Sequence, residues 1–330
     1  MRSLATLIFV IALGAVLSHP AYSQPGATIQ RIGFLGPTPP ALPASPPTLL
    51  DVLRSALADL GLVEGRDIII ESRWPDVDRL DRLPDAAAAL VNLKPEVIVA
   101  IGATAARAAM AATTDIPIIF AVVVDPVATG LTTNLEQPGG SVTGLTTFDP
   151  QQARRQLEIL KEAIPGLARV ALLGDAGAAP ALFQMNEDAA RALDLQPLSF
   201  KVARAPHPDF AGALEAARSA GAGAIVVLST PVTTPRRKLI AELAAKHRLP
   251  TLSPRDHEDA GGLISYGVSF SELTRRAADY VEKILKGAKA GSLSVETVGQ
   301  PELIINLKTA REIGVTFSPA MLNKATRIIE

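Results

Sequence analysis

The stretch VIVAIGATAARAAM, residues 97–110, decides the fold class. A run of apolar, mostly β-branched residues stops at Gly102, and an alanine-rich segment that favours helix follows at once. A buried strand that turns directly into a helix is the building unit of a parallel sheet with helices on both faces. The stretch therefore predicts an α/β protein in which a helix begins at the carboxyl end of a strand.

The same alternation of short apolar runs and helix-period segments continues along most of the chain. In the first half it predicts strands at 31–36, 66–72, 96–102 and 117–122, and helices at 47–60, 79–92 and 103–112. In the second half it predicts strands at 169–175, 195–200, 224–230, 249–253 and 261–267, and helices at 179–193, 208–220 and 235–248. This order favours doubly wound parallel sheets.

The two halves also resemble each other in sequence. RIGFLGP at 31–37 matches RVALLGD at 169–175, and the 97–109 stretch matches AIVVLSTPVTTPR at 224–236. DIPIIF at 115–120 likewise matches RLPTLS at 248–253. Such a repeat predicts two similar lobes with a boundary near TTFDPQQ, 146–152.

The tail does not fit a plain tandem of two lobes. SFSELTRRAADYVEKILKG at 269–287 reads as a long amphipathic helix, and PELIINL at 301–307 reads as one more strand. If both lobes are complete before residue 269, the tail must pack back across them and the chain must cross between the lobes more than once. Several crossing segments together form a hinge. We therefore expect lobe one to contain 24–147 and about 269–300, and lobe two to contain 148–268 and about 301–330.

The first 23 residues have the form of a cleaved secretory signal. Arg2 precedes the short apolar core LATLIFVIALGAVL, and small residues at Ala21 and Ser23 flank a cleavage site. The alternative, an uncleaved anchor, is disfavoured because that core is short for a bilayer span. The chain has no cysteine, so it carries neither disulfides nor a lipid-modified cysteine.

Composition and missing motifs exclude several classes of function. The 32 basic residues are offset by 33 acidic ones, without the basic excess that nucleic-acid binding needs. The signatures of serine hydrolases, phosphate-binding loops, dinucleotide sites and zinc proteases are absent, and His257-Glu258 lacks the second histidine of a zinc site. We expect no catalytic residues, no metal and no cofactor.

Seven segments together resemble a known family over nearly the whole chain after the signal. They are LVEGRDIIIESRW, LPDAAAALVNLKPEVIVAIG, DPVATGLTTNLEQPGGSVTGLTT, KHRLP, AGGLISYG, AADYVEKILKGAK and LIINLKTAREIG. The chain resembles periplasmic substrate-binding proteins of ABC transporters related to tryptophan- and tyrosine-binding proteins. The resemblance implies the type I periplasmic-binding fold, a periplasmic location, a small-molecule ligand, an ABC permease as partner and a monomeric state.

Ligands of open α/β sheets bind at the carboxyl ends of the strands, which selects the candidate contacts of lobe one. The free amides at the start of helix 103–112, at Ala103, Thr104 and Ala105, suit a carboxylate, although Thr104 could simply cap its helix. Asp125 before Pro126 reads equally as a cap or, by the resemblance, as a partner of a ligand ammonium group. Thr146 is a further candidate contact, and the nearby Gly144 is expected to serve the hinge.

Two candidate contacts of lobe one belong to less regular segments. The proline-rich loop 36–48 is a candidate lid that carries Thr38, although a rigid surface connection is the alternative. Trp74 could stack on a flat ligand, but packing against a neighbour is the commoner role of such a ring.

Lobe two supplies the other candidates from its equivalent strand ends: Asp175, Ser229, Thr230, Arg255, Asp256 and Tyr266. Arg255 could bind a carboxylate through two hydrogen bonds, with a surface ion pair to Asp256 or Glu258 as the alternative. Relatives carry an asparagine-rich loop where this chain has GDAGAAP and an acidic loop where it has STPVTTP. Those differences leave the ligand open between an amino acid and another carboxylate.

These features suggest three hypotheses for the function of the chain. The leading hypothesis is an exported receptor that closes on a small carboxylate-bearing or amino-acid-like solute and delivers it to a membrane permease. The alternative is a secreted α/β enzyme with an acid-base pair in the same cleft, Asp175 with Asp256. A transcription regulator shares the fold but should carry a DNA-binding segment and lack an export signal.

Overall fold

The structure is a computed structural model that describes residues 29–39, 47–76, 79–147, 149–204 and 207–330. The predicted signal at 1–23 and residues 40–46 of the proline-rich loop lie outside the described residues. None of the helices in these ranges is long and apolar enough to cross a membrane.

Strands and helices alternate along the described chain, as the apolar pattern predicts. The strands are β1 (Gln30–Leu35), β2 (Ile68–Arg73), β3 (Val97–Ile101), β4 (Ile118–Val123), β5 (Val142–Thr146), β6 (Arg169–Asp175), β7 (Gln196–Val202), β8 (Ala224–Val227), β9 (Thr251–Ser253), β10 (Ile264–Gly267), β11 (Glu296–Thr297), β12 (Glu302–Asn306) and β13 (Arg327–Ile329). The α-helices are α1 (Leu49–Asp59), α2 (Leu83–Val91), α3 (Gly102–Ala112), α4 (Gln152–Ala163), α5 (Pro180–Arg191), α6 (Phe210–Ser219), α7 (Arg237–Lys246), α8 (Phe270–Leu285), α9 (Leu307–Ile313) and α10 (Pro319–Lys324).

The strands form two sheets with the same internal order. The first sheet runs β11-β5-β4-β3-β1-β2, and the second runs β13-β12-β10-β9-β8-β6-β7. The repeated segments therefore occupy equivalent places, because β1, β3 and β4 of the first sheet correspond to β6, β8 and β9 of the second. The predicted α/β fold with two doubly wound parallel-sheet lobes is confirmed, except that β12 runs antiparallel to β10.

Each sheet and the helices packed on it form a lobe with its own apolar core. Helix α8 packs on the first sheet through Leu273, Ala277 and Val281, beside the buried residues of α1. Helix α4 packs on the second sheet through Leu157 and Leu160. Residues 149–151, 267–269 and 298–301 therefore connect the two lobes, so the chain crosses between them repeatedly. Movement of the lobes about these connections stays a prediction.

Close packing of β4 on β5 shapes the carboxyl edge of the first sheet. Gly144 lies opposite Phe120, and a Cβ atom on Gly144 would overlap the carbonyl oxygen and the ring of that phenylalanine. The glycine is thus required for strand packing, which differs from the expected hinge role. Next along β4, the register shifts between Phe120 and Val123, and Val122 adopts a φ of 59°, a strained backbone for a β-branched residue.

Candidate functional site

A cleft lies between the carboxyl edges of the two sheets, where parallel α/β sheets bind ligands. It encloses about 580 Å³ of space, part of it open to solvent. Val124 after β4 and Thr147 after β5 contribute to it from lobe one. The ends of β8, β9 and β10 and the helices α4 and α5 supply most of the remaining wall from lobe two. The cleft therefore has walls from both lobes and lies beside the connecting segments.

The lobe-one wall depends on the irregular end of β4. The Thr146 hydroxyl donates to the carbonyl oxygens of Val123 at 2.8 Å and Val124 at 3.1 Å. The Thr147 amide donates to the Val123 carbonyl at 3.1 Å. Through these bonds the fully buried Thr146 stabilises the bulge next to Val124, which lines the cleft. Thr146 itself does not line the cleft, whereas its neighbour Thr147 does.

Three of the predicted contacts line the cleft from the edge of the second sheet: Ser229, Arg255 and Tyr266. Arg255 is the one charged side chain among the described residues of the lining. Its Nε donates to Glu302 Oε2 at 2.6 Å, whereas Asp256 Oδ1 lies 3.9 Å from Arg255 Nη1. The shortest described ion pair of Arg255 is therefore the one with Glu302 on β12. The surface-pair alternative named Asp256 or Glu258, and the side chain of Glu258 lies outside the described residues.

Helices α4 and α5 add carboxamide side chains that the strand-end rule did not select. Gln152 and Gln156 of α4 line the cleft, and Gln156 Nε2 donates to the Tyr266 carbonyl at 3.2 Å. Asn186 of α5 lines it together with the apolar Leu182 and Met185. These residues lie at spacings of three and four along α5, so they share one face of the helix. An asparagine on the buried stripe of α5 is the sequence signal that could have identified this wall.

Three other residues of lobe two that were predicted to bind the ligand do not line the cleft of this structure. They form hydrogen bonds within the protein instead. Asp175 is fully buried, and its Oδ1 accepts from Arg204 Nε at 2.7 Å and from the Gly177 amide at 2.8 Å. Thr230 closes a turn through Thr233, with 3.0 Å between the hydroxyl oxygens.

Asp256, the third of these residues, binds the start of α8. Its Oδ2 accepts from the Phe270 amide at 2.7 Å. The structure therefore does not bring Asp175 and Asp256 together as lining residues of one site, which removes the geometric support for an acid-base pair.

The start of α3 differs from its predicted geometry. The helix begins at Gly102 with Ile101 as N-cap, and Thr104 makes no capping hydrogen bond. Unbonded amides belong to the cap and the first three helical residues, so those of Gly102, Ala103 and Thr104 are available whereas that of Ala105 bonds within the helix. Ala105 is also fully buried. Neither this helix start nor Thr38 after β1 lines the cleft of this structure, although both follow strands at the same sheet edge.

Asp125 and Trp74 have mainly local roles in this structure. Asp125 Oδ1 accepts from the amides of Val127 at 3.0 Å and Ala128 at 2.8 Å, so it caps the turn after β4. No helix follows there, in contrast to the predicted helix N-cap. Trp74 is partly buried and packs against the apolar core of lobe one, which agrees with the packing alternative.

The sequence of the chain matches a known protein family over most of its length. A model of the family described as ABC transporter substrate binding protein matches residues 49–329, which is most of the chain and includes both lobes. The chain belongs to the ABC transporter substrate-binding protein family. The resemblance that the seven sequence segments indicated is thereby confirmed.

Three relatives illustrate what this substrate-binding protein is similar to. A tyrosine-binding protein of Clostridioides difficile is 26% identical over 264 residues, which covers 78% of this chain and 74% of the relative. A crystal structure of a conserved domain protein from Vibrio cholerae has a TM-score of 0.80 at 24% identity, covering 91% of this chain and 99% of that one. The structure of a Streptococcus pneumonia protein in complex with L-Trp has a TM-score of 0.77 at 22% identity, covering 92% and 100%. At these identities the two structural likenesses show that the fold is shared, and no more.

A smaller cavity of about 240 Å³ in this substrate-binding protein shares Val227 with the lining of the cleft. His257 lines it from the short 3-10 helix Arg255–Ala260, beside Ser253 and Thr251. The histidine is 2% exposed, and neither ring nitrogen has a hydrogen-bond partner among the described residues. Burial, reinforced by the charge of Arg237 and opposed by Asp259, lowers the pKa of His257 to about 3. The imidazole is therefore neutral at physiological pH. Among the described residues no cluster of three acidic or histidine side chains could hold a metal ion.

Proposed function

We propose that this protein is the extracytoplasmic solute receptor of an ABC importer. It binds one small carboxylate-bearing or amino-acid-like molecule in the cleft between its lobes and delivers that molecule to a membrane permease. The observation that carries the proposal is the position of the cleft, which has walls from both sheet edges and lies beside three connecting segments. A ligand that contacts both walls favours the closed arrangement of the lobes, since binding can shift an equilibrium only by its differential affinity for the two states.

The chemistry of the wall supports a carboxylate-bearing ligand with an apolar body. Arg255, whose Nε is bonded to Glu302, is the one charged donor of the described lining, and the carboxamides of Gln152, Gln156 and Asn186 supply neutral donors and acceptors. Leu182, Met185, Val227 and Phe270 supply apolar surface. The names of the relatives, a tyrosine-binding protein and a protein in complex with L-Trp, agree with this class of ligand.

The predicted contacts of lobe one belong to the same proposal. Thr38, Ala103, Thr104 and Asp125 follow β1, β3 and β4, whose carboxyl ends lie at the sheet edge that borders the cleft. Ala105, which is buried and whose amide bonds within α3, supports the helix start and is not proposed as a contact. The amides at the start of α3 then contribute to binding the ligand carboxylate when the lobes close. Their contribution adds to that of Arg255 from the other wall.

The remaining parts of the proposal concern the cell and the movement of the lobes. The segment 1–23 directs export and is removed, so the mature monomer functions in the periplasm. Residues 24–147 with about 269–300 and residues 148–268 with about 301–330 move as two bodies. The protein binds its ligand without converting it, and the partner that receives the ligand is the permease.

A thermal-shift screen of amino acids, aromatic acids and short carboxylates tests the proposal. A ligand present at a hundredfold its Kd stabilises the folded state by about 2.7 kcal/mol, which raises the unfolding midpoint by several degrees. Small-angle scattering with the same compound should show a smaller radius of gyration, and chromatography should recover the compound unchanged. Turnover of the compound, or binding with no change in shape, would contradict the receptor mechanism.

A matched pair of variants locates the binding site. Ser229→Trp places an indole in the cleft and should abolish the thermal shift, because Ser229 lines that space. Gln184→Trp places the same ring on the exposed face of α5 and should leave the shift unchanged. An unchanged shift in the Ser229 variant would place the ligand elsewhere.

A further inference from the structure

Asn186 occupies an unusual place on helix α5. The buried stripe of this helix consists of Phe183, Asn186 and Ala190, so a carboxamide stands where the pattern calls for an apolar side chain. The side chain is 3% exposed. Burying a carboxamide lowers stability unless each of its polar atoms finds a hydrogen-bond partner.

Among the described residues, only one end of this carboxamide has a hydrogen-bond partner. Asn186 Nδ2 donates to the Leu182 carbonyl at 2.8 Å. That bond fixes the orientation of the amide, since a carbonyl oxygen accepts but does not donate. Asn186 Oδ1 is buried and has no hydrogen-bond partner among the described residues. The helix therefore keeps a buried acceptor that the fold itself does not use.

The unused acceptor belongs to a residue of the cleft wall. Asn186 lines the cleft together with Leu182 and Met185 of the same helix face and with residues of α4 and β8. No carboxylate occurs among the described lining residues, so an ammonium group of the ligand would find no negative charge there. Asn186 Oδ1 is uncharged and is suited to a neutral donor. An ammonium group would lose more hydration than one amide oxygen returns, whereas a hydroxyl or a ring N–H loses less.

We infer that Asn186 is a specificity-determining residue whose Oδ1 accepts a hydrogen bond from a neutral O–H or N–H group of the ligand. The inference rests on the proposed function and narrows its ligand class. The ligand carries a carboxylate and, on an apolar body, an uncharged donor such as a phenol hydroxyl or an indole N–H. Leu182 and Met185 pack against the apolar body beside that donor.

Calorimetric titration with three pairs of compounds tests the inference. The pairs are 4-hydroxybenzoate and benzoate, L-tyrosine and L-phenylalanine, and L-tryptophan and its benzothiophene analogue, each differing by one neutral donor. The wild-type protein should bind the donor-bearing member of at least one pair at least tenfold more tightly. A site built around a polar group rejects an analogue that leaves this group unpaired. Asn186→Leu should reduce that preference to less than twofold.

The control variant is Gln184→Leu, which makes the same kind of change on the exposed face of α5 and should keep the wild-type preference. A preference that survives in Asn186→Leu, or a wild-type preference for the members without the donor, would overturn the inference.

The ligand-free proteins give a second readout that is independent of the choice of compounds. Asn186→Leu should unfold at or above the wild-type midpoint, because leucine removes a buried acceptor without a partner. A midpoint several degrees below that of Gln184→Leu would show that Asn186 supports the fold instead, and would overturn the inference. Failure of the wild-type protein to bind all six compounds would contradict the ligand class of the proposed function, while the midpoint comparison would still decide the role of Asn186.

Discussion

At the scale of single residues, Gly144 shows how closely the first sheet is packed. A Cβ atom at this position would overlap the carbonyl and the ring of Phe120, both parts of the fully buried interior. Gly144→Ala should therefore lower the free energy of unfolding by about 1–3 kcal/mol, the usual cost of overpacking a core. Urea denaturation of the ligand-free protein measures this change.

Gly36→Ala is the matched control for that substitution. A Cβ atom at Gly36 would lie 3.5 Å from the Thr38 carbonyl oxygen, which is ordinary van der Waals contact. Its stability should stay within about 0.5 kcal/mol of the wild type. Equal stability of the two variants would show that β4 and β5 are less tightly packed than in this structure.

His257 predicts a pH dependence of stability. Its pKa is about 3 in the folded protein, against an ordinary value of 6.5, so the unfolded chain binds more protons between these values. The free energy of unfolding should consequently fall as the pH drops from about 6.5 towards about 3, by at most about 1.4 kcal/mol per pH unit from this group. Above about pH 6.5 the contribution of the neutral imidazole is fully present.

Unfolding curves between pH 7.5 and pH 4.5 check this expectation on three proteins. His257→Leu removes the titrating group and should lose less stability than the wild type as the pH falls. His207→Leu removes an exposed histidine and should follow the wild type. Parallel curves for wild type and His257→Leu would show that His257 remains accessible to protons in the folded state.

The candidate site was predictable from sequence where it depends on strand ends. Ser229, Arg255 and Tyr266 line the cleft because each stands at or just after the carboxyl end of a parallel strand. Asn186 and Gln156 were not predicted, because their contribution depends on which face of a helix turns towards the cleft. That orientation is fixed by tertiary packing and not by the local pattern.

At the scale of elements, the predicted strands and helices mostly have a clear apolar period, although α4, which also has a buried stripe, was not predicted. Helix α1 is one example, with Val52, Leu53, Ala56 and Leu57 buried along one face. Strand β11 has only two residues, and β13 is a partly exposed edge strand, so neither carries such a signal. Strand β5 contains Gly144 and two threonines, whose burial arises from neighbours that are distant in sequence.

Helix α8 depends on a residue of the opposite lobe for its start. Asp256 accepts from the Phe270 amide at 2.7 Å, and Ser269 accepts from the Glu272 amide at 3.3 Å. Asp256→Ala should lower the free energy of unfolding by about 1 kcal/mol, the typical cost of losing a helix cap. Thermal or urea unfolding of the ligand-free protein measures the loss.

Asp259→Ala serves as the control for the α8 cap. It lies in the same 3-10 helix, but its ion pair with Arg237 is at the surface and 3.3 Å long. Removing such a pair should change stability by less than about 0.5 kcal/mol. If both variants lost the same stability, the cap on α8 would not be the reason.

At the scale of the whole molecule, the three connecting segments relate fold to function. A chain that crosses once between lobes could orient them loosely, whereas three crossings restrict their movement to a hinge. The sequence predicts repeated crossing from the tail alone, because α8 and β12 follow segments that already account for two repeated lobes. The extent of closure depends on the ligand, and the movement of 24–147 with 269–300 against 148–268 with 301–330 stays a prediction.

Native mass spectrometry tests the central claim most directly, namely that the cleft between the lobes holds one small carboxylate-bearing molecule per chain. The purified protein is incubated with a mixture of L-amino acids and aromatic acids and sprayed under non-denaturing conditions, beside Ser229→Trp and Gln184→Trp. We predict one bound molecule per chain in the wild type and in Gln184→Trp, and none in Ser229→Trp. Absence of any bound molecule in the wild type, or its retention in Ser229→Trp, would contradict the account.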